Sequence, residues 1–241
     1  MENFKDTLVT SLHQTLYLVM PISIILFILR IPVVRIVYGV SSFPWEATLM
    51  TSYTLAFFAV SIFAQSVNYL FSRAFYALKD TITPLLISIV TAILNVGLSA
   101  LFVLGLNLEV WSIALAYSIT SILNAGIQFF YLNKKVNGFK LKKIIIPFTK
   151  MSLSTIFMGI ALWVPMRFLD QFVFDTTKTI YLLILTAIAG LSGIVTYFFL
   201  TKLFRVEEVE LFYKLIRKIK PKPSVIKPQT LVHNKNGSSG L

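Results

Sequence analysis

The run Ser72-Arg73-Ala74-Phe75-Tyr76-Ala77-Leu78-Lys79-Asp80-Thr81-Ile82-Thr83-Pro84 joins two long apolar stretches, 50–72 and 83–105. Its composition suits a short, basic, aromatic turn at a membrane surface. Arg73 and Lys79 are donors for phosphate or carboxylate, and Phe75 and Tyr76 suit the interface. Asp80 and Pro84 suit a helix start, with Asp80 as the N-cap of the stretch that follows. A turn of this kind needs spans on both sides, so its flanks decide the fold.

Working outward, six windows of about 20 residues lack acidic side chains: 12–32, 50–72, 83–105, 111–132, 144–166 and 179–201. Each is long enough to cross a hydrocarbon core about 30 Å thick, at about 1.5 Å rise per helical residue. The chain is 56% hydrophobic and 13% charged, about half the charge of a soluble domain. Its mean hydropathy is +0.79. Helices satisfy their own backbone hydrogen bonds in lipid. The expected fold is therefore all-α, a polytopic transmembrane helical bundle of six spans.

Apart from Arg30, Arg35, Lys150, Arg167 and Lys178, every basic residue lies in the N-terminal segment, the turns after spans two and four, or the tail. Positive charge marks the cytoplasmic side, which places both termini inside. Arg30 and Arg35 run against this rule, but they sit at a helix end where long side chains snorkel. The net charge of +12 then reads as topology plus attraction to anionic membrane lipid. Basic residues scattered over loops joined by spans argue against nucleic acid as a partner. No cleavable leader is expected, because 1–15 is polar and no small-residue cleavage site follows the first apolar segment.

Four regions are expected. Residues 1–133 hold four spans and 134–203 a final helix pair, with Lys134, Lys135, Lys140, Lys142, Lys143 and Gly138 at the break. Residues 204–220 read as an amphipathic basic helix, with Val206, Val209, Phe212, Tyr213, Ile216 and Ile219 spaced at threes and fours. Residues 221–241 read as a disordered tail, proline-bearing and without apolar periodicity. Residues 1–11 read as a lead-in to span one. The exit of that span, Ile36-Val37-Tyr38-Gly39-Val40, ends on a glycine stop. Phe43, Pro44 and Trp45 form an aromatic cluster suited to the outer interface.

Three spans carry polar stripes. Ser61, Gln65, Asn68 and Ser72 lie on one face of span two, and Ser88, Thr91, Asn95 and Ser99 on one face of span three. Tyr117, Ser121, Asn124 and Gln128 repeat the device in span four. Amides are costly against lipid tails, so these stripes face other helices or a hydrated cavity. Either interhelical glue or a polar interior satisfies them. Lys150, the one charge well inside a window, either snorkels to the headgroups or meets a lipid phosphate in a groove of the last two spans. Arg73 and Lys79 are either topological markers or a basic lip on a cavity mouth that attracts pyrophosphate. The candidate substrate-binding residues are Gln65, Asn68, Arg73, Lys79, Asn95, Asn124, Gln128 and Lys150.

Every acidic residue lies in a loop, a helix end or the tail, so no intramembrane carboxylate serves a proton relay or holds magnesium. The chain has no cysteine, and His13 and His233 stand far apart without ligand-like neighbours. No nucleophile triad, HExxH motif or glycine-rich phosphate loop is present. Neither an enzyme, a metal nor a cofactor is expected.

The run at 72–84 closely resembles the loop between two late helices of the MurJ/MviN family of lipid II flippases. The resemblance extends over 4–203. Pro21 with Arg30-Ile31-Pro32-Val33-Val34 and Tyr38-Gly39 resembles the family's ninth helix and its exit, and 111–124 its twelfth. The last two spans are similar to the thirteenth and fourteenth helices, and Lys150 falls near a basic position of the thirteenth. The resemblance implies part of the second lobe of a multidrug/oligosaccharide/polysaccharide (MOP)-exporter-like fold, plus a final helix pair whose groove suits a polyprenyl tail. It implies the last six of fourteen helices, with a separate chain as a candidate source of the others. It further implies alternating access in a bacterial inner membrane, moving an undecaprenyl-pyrophosphate-linked sugar-peptide. Another polyprenyl-linked glycan as substrate, or a non-transporting scaffold, are the alternatives.

Overall fold

The computed structural model of the protein describes residues 1–38, 44–172, 179–206 and 208–209. Among them are seven α-helices: α1 (Glu2–Ile28), α2 (Arg30–Tyr38), α3 (Trp45–Ala77), α4 (Ile82–Ala100), α5 (Trp111–Lys135), α6 (Leu141–Phe172) and α7 (Thr179–Leu203). A π-helical turn, Leu101–Gly105, extends α4. All but α2 are long and apolar enough to cross a membrane, so the six expected spans are present. The protein is an all-α, multi-pass membrane protein. Gly39, Phe43, most of the expected 204–220 helix and the 221–241 tail lie outside the described residues.

The first span differs from expectation. Residues 1–11 are not a separate lead-in, and the span does not run to residue 32; one helix extends from Glu2 to Ile28 and breaks at Leu29. Leu8, Leu12 and Leu16, four apart, are buried along a single face, which carries the helix straight through the supposed boundary. Pro32 explains the break. It has no N–H for the Ile28 carbonyl four residues back, and its ring crowds that oxygen. Val33 N–H picks up the Leu29 carbonyl at 2.9 Å and starts α2.

Pro21 inside α1 and Pro165 inside α6 cause no comparable break, because α7 completes the bonding. Pro21 leaves the Tyr17 carbonyl without its helical donor, and the Tyr197 hydroxyl of α7 donates to that oxygen at 2.9 Å. Pro165 does the same to the Ala161 carbonyl, and the Ser192 hydroxyl of α7 donates there at 2.9 Å. Lipid offers no substitute donor, so the two hydroxyls hold three helices together at the points where the ladder is incomplete. Gly193 lets α6 and α7 approach closely: a Cβ there would lie 2.4 Å from Leu162 Cγ.

Helix α5 is the centre of the other half. It packs extensively on α3 and, along another face, on α4, whereas α3 and α4 scarcely meet. Where α3 and α5 face each other they bury small residues, including Ser61 and Ala64 on one and Ala114 and Ser118 on the other. The Ser118 hydroxyl donates to the Phe57 carbonyl across that seam. Most of α4 is exposed and apolar. The 72–84 turn is closed by two devices. Lys79 adopts a left-handed φ of 57° as α3 ends, with Asp80 N–H bonded to the Phe75 carbonyl at 3.0 Å. Asp80 then caps α4, accepting from Thr83 N–H at 3.0 Å and Thr83 Oγ1 at 2.7 Å, and it pairs with Lys135 of α5. The Lys135 ammonium, followed by the Thr83 donors, holds the Asp80 carboxyl well below the usual carboxylate range.

Candidate functional site

Because α3 and α4 diverge on either side of α5, a cleft remains between them. It encloses about 750 Å³ and is lined by the polar stripes of all three helices. From α3 come Gln65, Asn68 and Ser72, from α4 Ser88, Thr91 and Asn95, and from α5 Tyr117, Ser121, Asn124 and Gln128. No charged side chain lines it.

The lining groups are organised by hydrogen bonds that cross between helices. Gln65 Nε2 donates to Tyr117 OH at 2.6 Å and Ser121 Oγ at 2.9 Å, and Asn68 Nδ2 to the Ser121 carbonyl at 3.1 Å. Those three bonds tie α3 to α5. Asn124 Nδ2 donates to Thr91 Oγ1 at 2.7 Å, and Asn95 Nδ2 to Thr120 Oγ1 at 3.0 Å, tying α4 to α5. Along the floor, Ser72 Oγ donates to Gln128 Oε1 at 3.3 Å, while Gln128 Nε2 donates to Asn124 Oδ1 at 2.6 Å. Gln128 is buried at 1% exposure, whereas Gln65, Asn68, Asn95 and Asn124 are half-buried at the wall. Asn68 Oδ1 is a buried acceptor with no partner among the described residues.

Five of the eight candidate residues therefore come together: Gln65, Asn68, Asn95, Asn124 and Gln128. Arg73 stands beside them. Its Nη2 donates to Tyr69 OH at 2.8 Å and its guanidinium lies 4.3 Å from the centre of that ring, and Tyr69 lines the cleft. Lys79 lies past the end of α3, exposed and outside the lining. Lys150 lines a different cavity, formed by α1, the start of α6 and the segment after α7, instead of a groove between the last two spans. Ser61 and Ser99, stripe members at the far ends, do not reach the cleft. Tyr69, Ser66 and Thr120 line it without having been singled out. Thr120 lies four residues before Asn124, so the same helical spacing held the signal. Among the described residues no group of three or more acidic or histidine side chains is placed to hold a metal ion.

The family model described as MurJ, lipid II flippase MurJ, matches residues 1–200. The chain belongs to the MurJ family. Among curated MurJ relatives, the probable lipid II flippase of Thermotoga maritima is 28% identical over 209 residues, which cover 87% of this chain and 39% of that protein. The lipid II flippase MurJ of Thermosipho africanus is 29% identical over 157 residues, covering 65% of this chain and 31% of its own length. A solved structure of lipid II flippase MurJ in an inward closed conformation superposes with a TM-score of 0.66 at 26% identity, covering 90% of this chain and 41% of that one. The chain thus spans about two fifths or less of the length of these MurJ proteins.

Proposed function

We propose that the chain contributes second-lobe spans and the final helix pair of a lipid II flippase. Such a transporter moves an undecaprenyl-pyrophosphate-linked sugar-peptide from the inner to the outer leaflet of the bacterial inner membrane. The observation that carries this reading is the uncharged, amide- and hydroxyl-lined cleft of about 750 Å³ inside otherwise apolar spans. Its size falls within the range of small-ligand sites. Sugar hydroxyls and peptide amides are neutral and both donate and accept, as do the groups that line the cleft. Asn68 Oδ1 offers a free acceptor, and Arg73 at the mouth beside Tyr69 offers a cation for pyrophosphate.

The same reading places both termini on the cytoplasmic face, by the distribution of lysine and arginine. It treats 1–133 and 134–203 as the lobe portion and the final pair. Where the remaining N-terminal helices come from a separate chain, that chain is the expected partner.

The test is rescue of a flippase-depleted bacterium by this chain co-expressed with the preceding eight helices, its own or those of the Thermotoga maritima relative. The wild-type chain restores growth. The Q65L/N68L/N95L variant inserts at the same level and does not. Growth restored by the triple variant would reduce the stripes to packing glue and overturn the cleft as a substrate path.

A further inference from the structure

A second cavity, of about 530 Å³, lies where the first turns of α1 and α6 meet the segment after α7. It shares no residue with the polar cleft, and its chemistry is ionic. Of its two carboxylates, Asp6 is paired with Lys143 at 3.3 Å and Glu208 with His13 Nδ1 at 3.4 Å. Burial alone would push the Glu208 carboxyl up, but the hydrogen bond and charge of His13 outweigh it and hold it down. Both acids are therefore engaged. Lys142, Lys150 and Arg205 also line the cavity and have no acidic partner among the described residues.

His13 adds a second feature. It is only 7% exposed, and its Nε2 is buried without a hydrogen-bond partner among the described residues. A buried polar nitrogen left unpaired is costly, which makes it an indicator of a missing ligand. Nδ1 is committed to Glu208, so Nε2 is the ring nitrogen left without a partner in the wall of the cavity. The backbone assists. Arg205, at a left-handed φ of 51°, turns the chain after Leu203 so that Val206 N–H caps the Thr201 carbonyl at 3.0 Å. That turn places Glu208 against His13 instead of leading the chain away.

We propose that this cavity is a phosphate-recognition site for the headgroup of an anionic membrane lipid. Lys142, Lys150 and Arg205 supply the charge, and His13 in the same wall supplies a ring nitrogen without a partner. Position favours a lipid source: α1 and α6 begin here and α7 has just ended, so the cavity lies at the level where helices leave the hydrocarbon. A soluble phosphate offers the same oxygens, and the experiment separates the two.

The test uses the full chain, purified and delipidated in a neutral detergent. Binding of dioctanoyl-phosphatidylglycerol is measured by native mass spectrometry, with dioctanoyl-phosphatidylcholine as the neutral control and inorganic phosphate as the soluble probe. Wild type is expected to retain phosphatidylglycerol over phosphatidylcholine, and K142Q/K150Q/R205Q to lose affinity at least about tenfold. The K134Q variant, outside the cavity, should match wild type. Protection by inorganic phosphate without lipid retention would support the phosphate site and assign it to a soluble ligand. Failure of the wild-type chain to retain phosphatidylglycerol or phosphate would overturn the proposal, as would equal retention by the triple variant.

Discussion

The Tyr197 hydroxyl on α7 donates at 2.9 Å to the one carbonyl of α1, that of Tyr17, which Pro21 deprives of its helical partner. The two tyrosine rings pack in a tilted arrangement, 5.4 Å between centres, which keeps the donor in place. In water such a carbonyl would find a solvent donor, but within a bilayer it depends on the neighbouring helix.

The Tyr197→Phe variant should therefore lose about 1 kcal/mol of stability, measured by thermal or denaturant unfolding in micelles. Pro21→Ala restores the missing N–H, so in that background Tyr197→Phe should cost almost nothing. Equal losses in both backgrounds would refute the dependence on proline.

At the α6–α7 seam the limit is steric. A Cβ on Gly193 would lie 2.4 Å from Cγ of Leu162, which is fully buried and has no space to retreat. Gly193→Ala should destabilise by about 1–3 kcal/mol, and Leu162→Ala placed in the same chain should relieve part of that loss. Additive losses in the double variant would argue against the contact.

The bond from Asn124 to Thr91 is a principal tie between α5 and α4 in the cleft. Thr91→Val and Asn124→Leu should each lower stability, the second more because it also strips the buried Gln128 amide of its acceptor. A double-mutant cycle should give a coupling of about 0.6–1.7 kcal/mol, read from unfolding midpoints. Zero coupling would mean that the two side chains act independently.

At the turn before α4, Asp80→Asn should lower the melting temperature at neutral pH by removing the pair with Lys135 and weakening the cap. The Asp80 carboxyl is held below its unfolded-state range, so its stabilisation is present above that range and is lost on acidification through the folded-state value. The gap in melting temperature between wild type and variant should be full at pH 7 and should narrow only in strong acid. A gap that closed between pH 7 and pH 5 would contradict this.

How much of this was legible before any coordinates follows from what sequence spacing encodes. A stripe at threes and fours fixes which residues share a face, so Gln65 and Asn68 could be grouped, as could Asn124 and Gln128. Spacing does not say which helix a face meets. In lipid that choice rests on close approach at small residues, such as Gly193 against Leu162, and on shape. Hence the placement of Lys150 against α1 and the post-α7 turn was not readable, nor was the packing of α6 on α1. The break at Leu29 was hidden for another reason. Pro32 acts four residues upstream of itself, whereas a boundary read from hydropathy falls where polarity changes. Tyr69 escaped notice because an aromatic near a span end reads as an interface anchor, and its place in the cleft depends on the divergence of α3 from α4.

That divergence has a mechanical consequence. With α3 and α4 each seated on α5 and scarcely touching each other, a lean of α4 about α5 would change the aperture of the cleft. The α3–α5 seam need not repack for the aperture to change. At its far end α4 runs into the π-helical turn Leu101–Gly105, whose looser winding gives local slack. A ligand that bridges Asn68 and Asn95 would draw the two walls together, and its departure would let α4 swing back, as a jaw does with α5 for its pin.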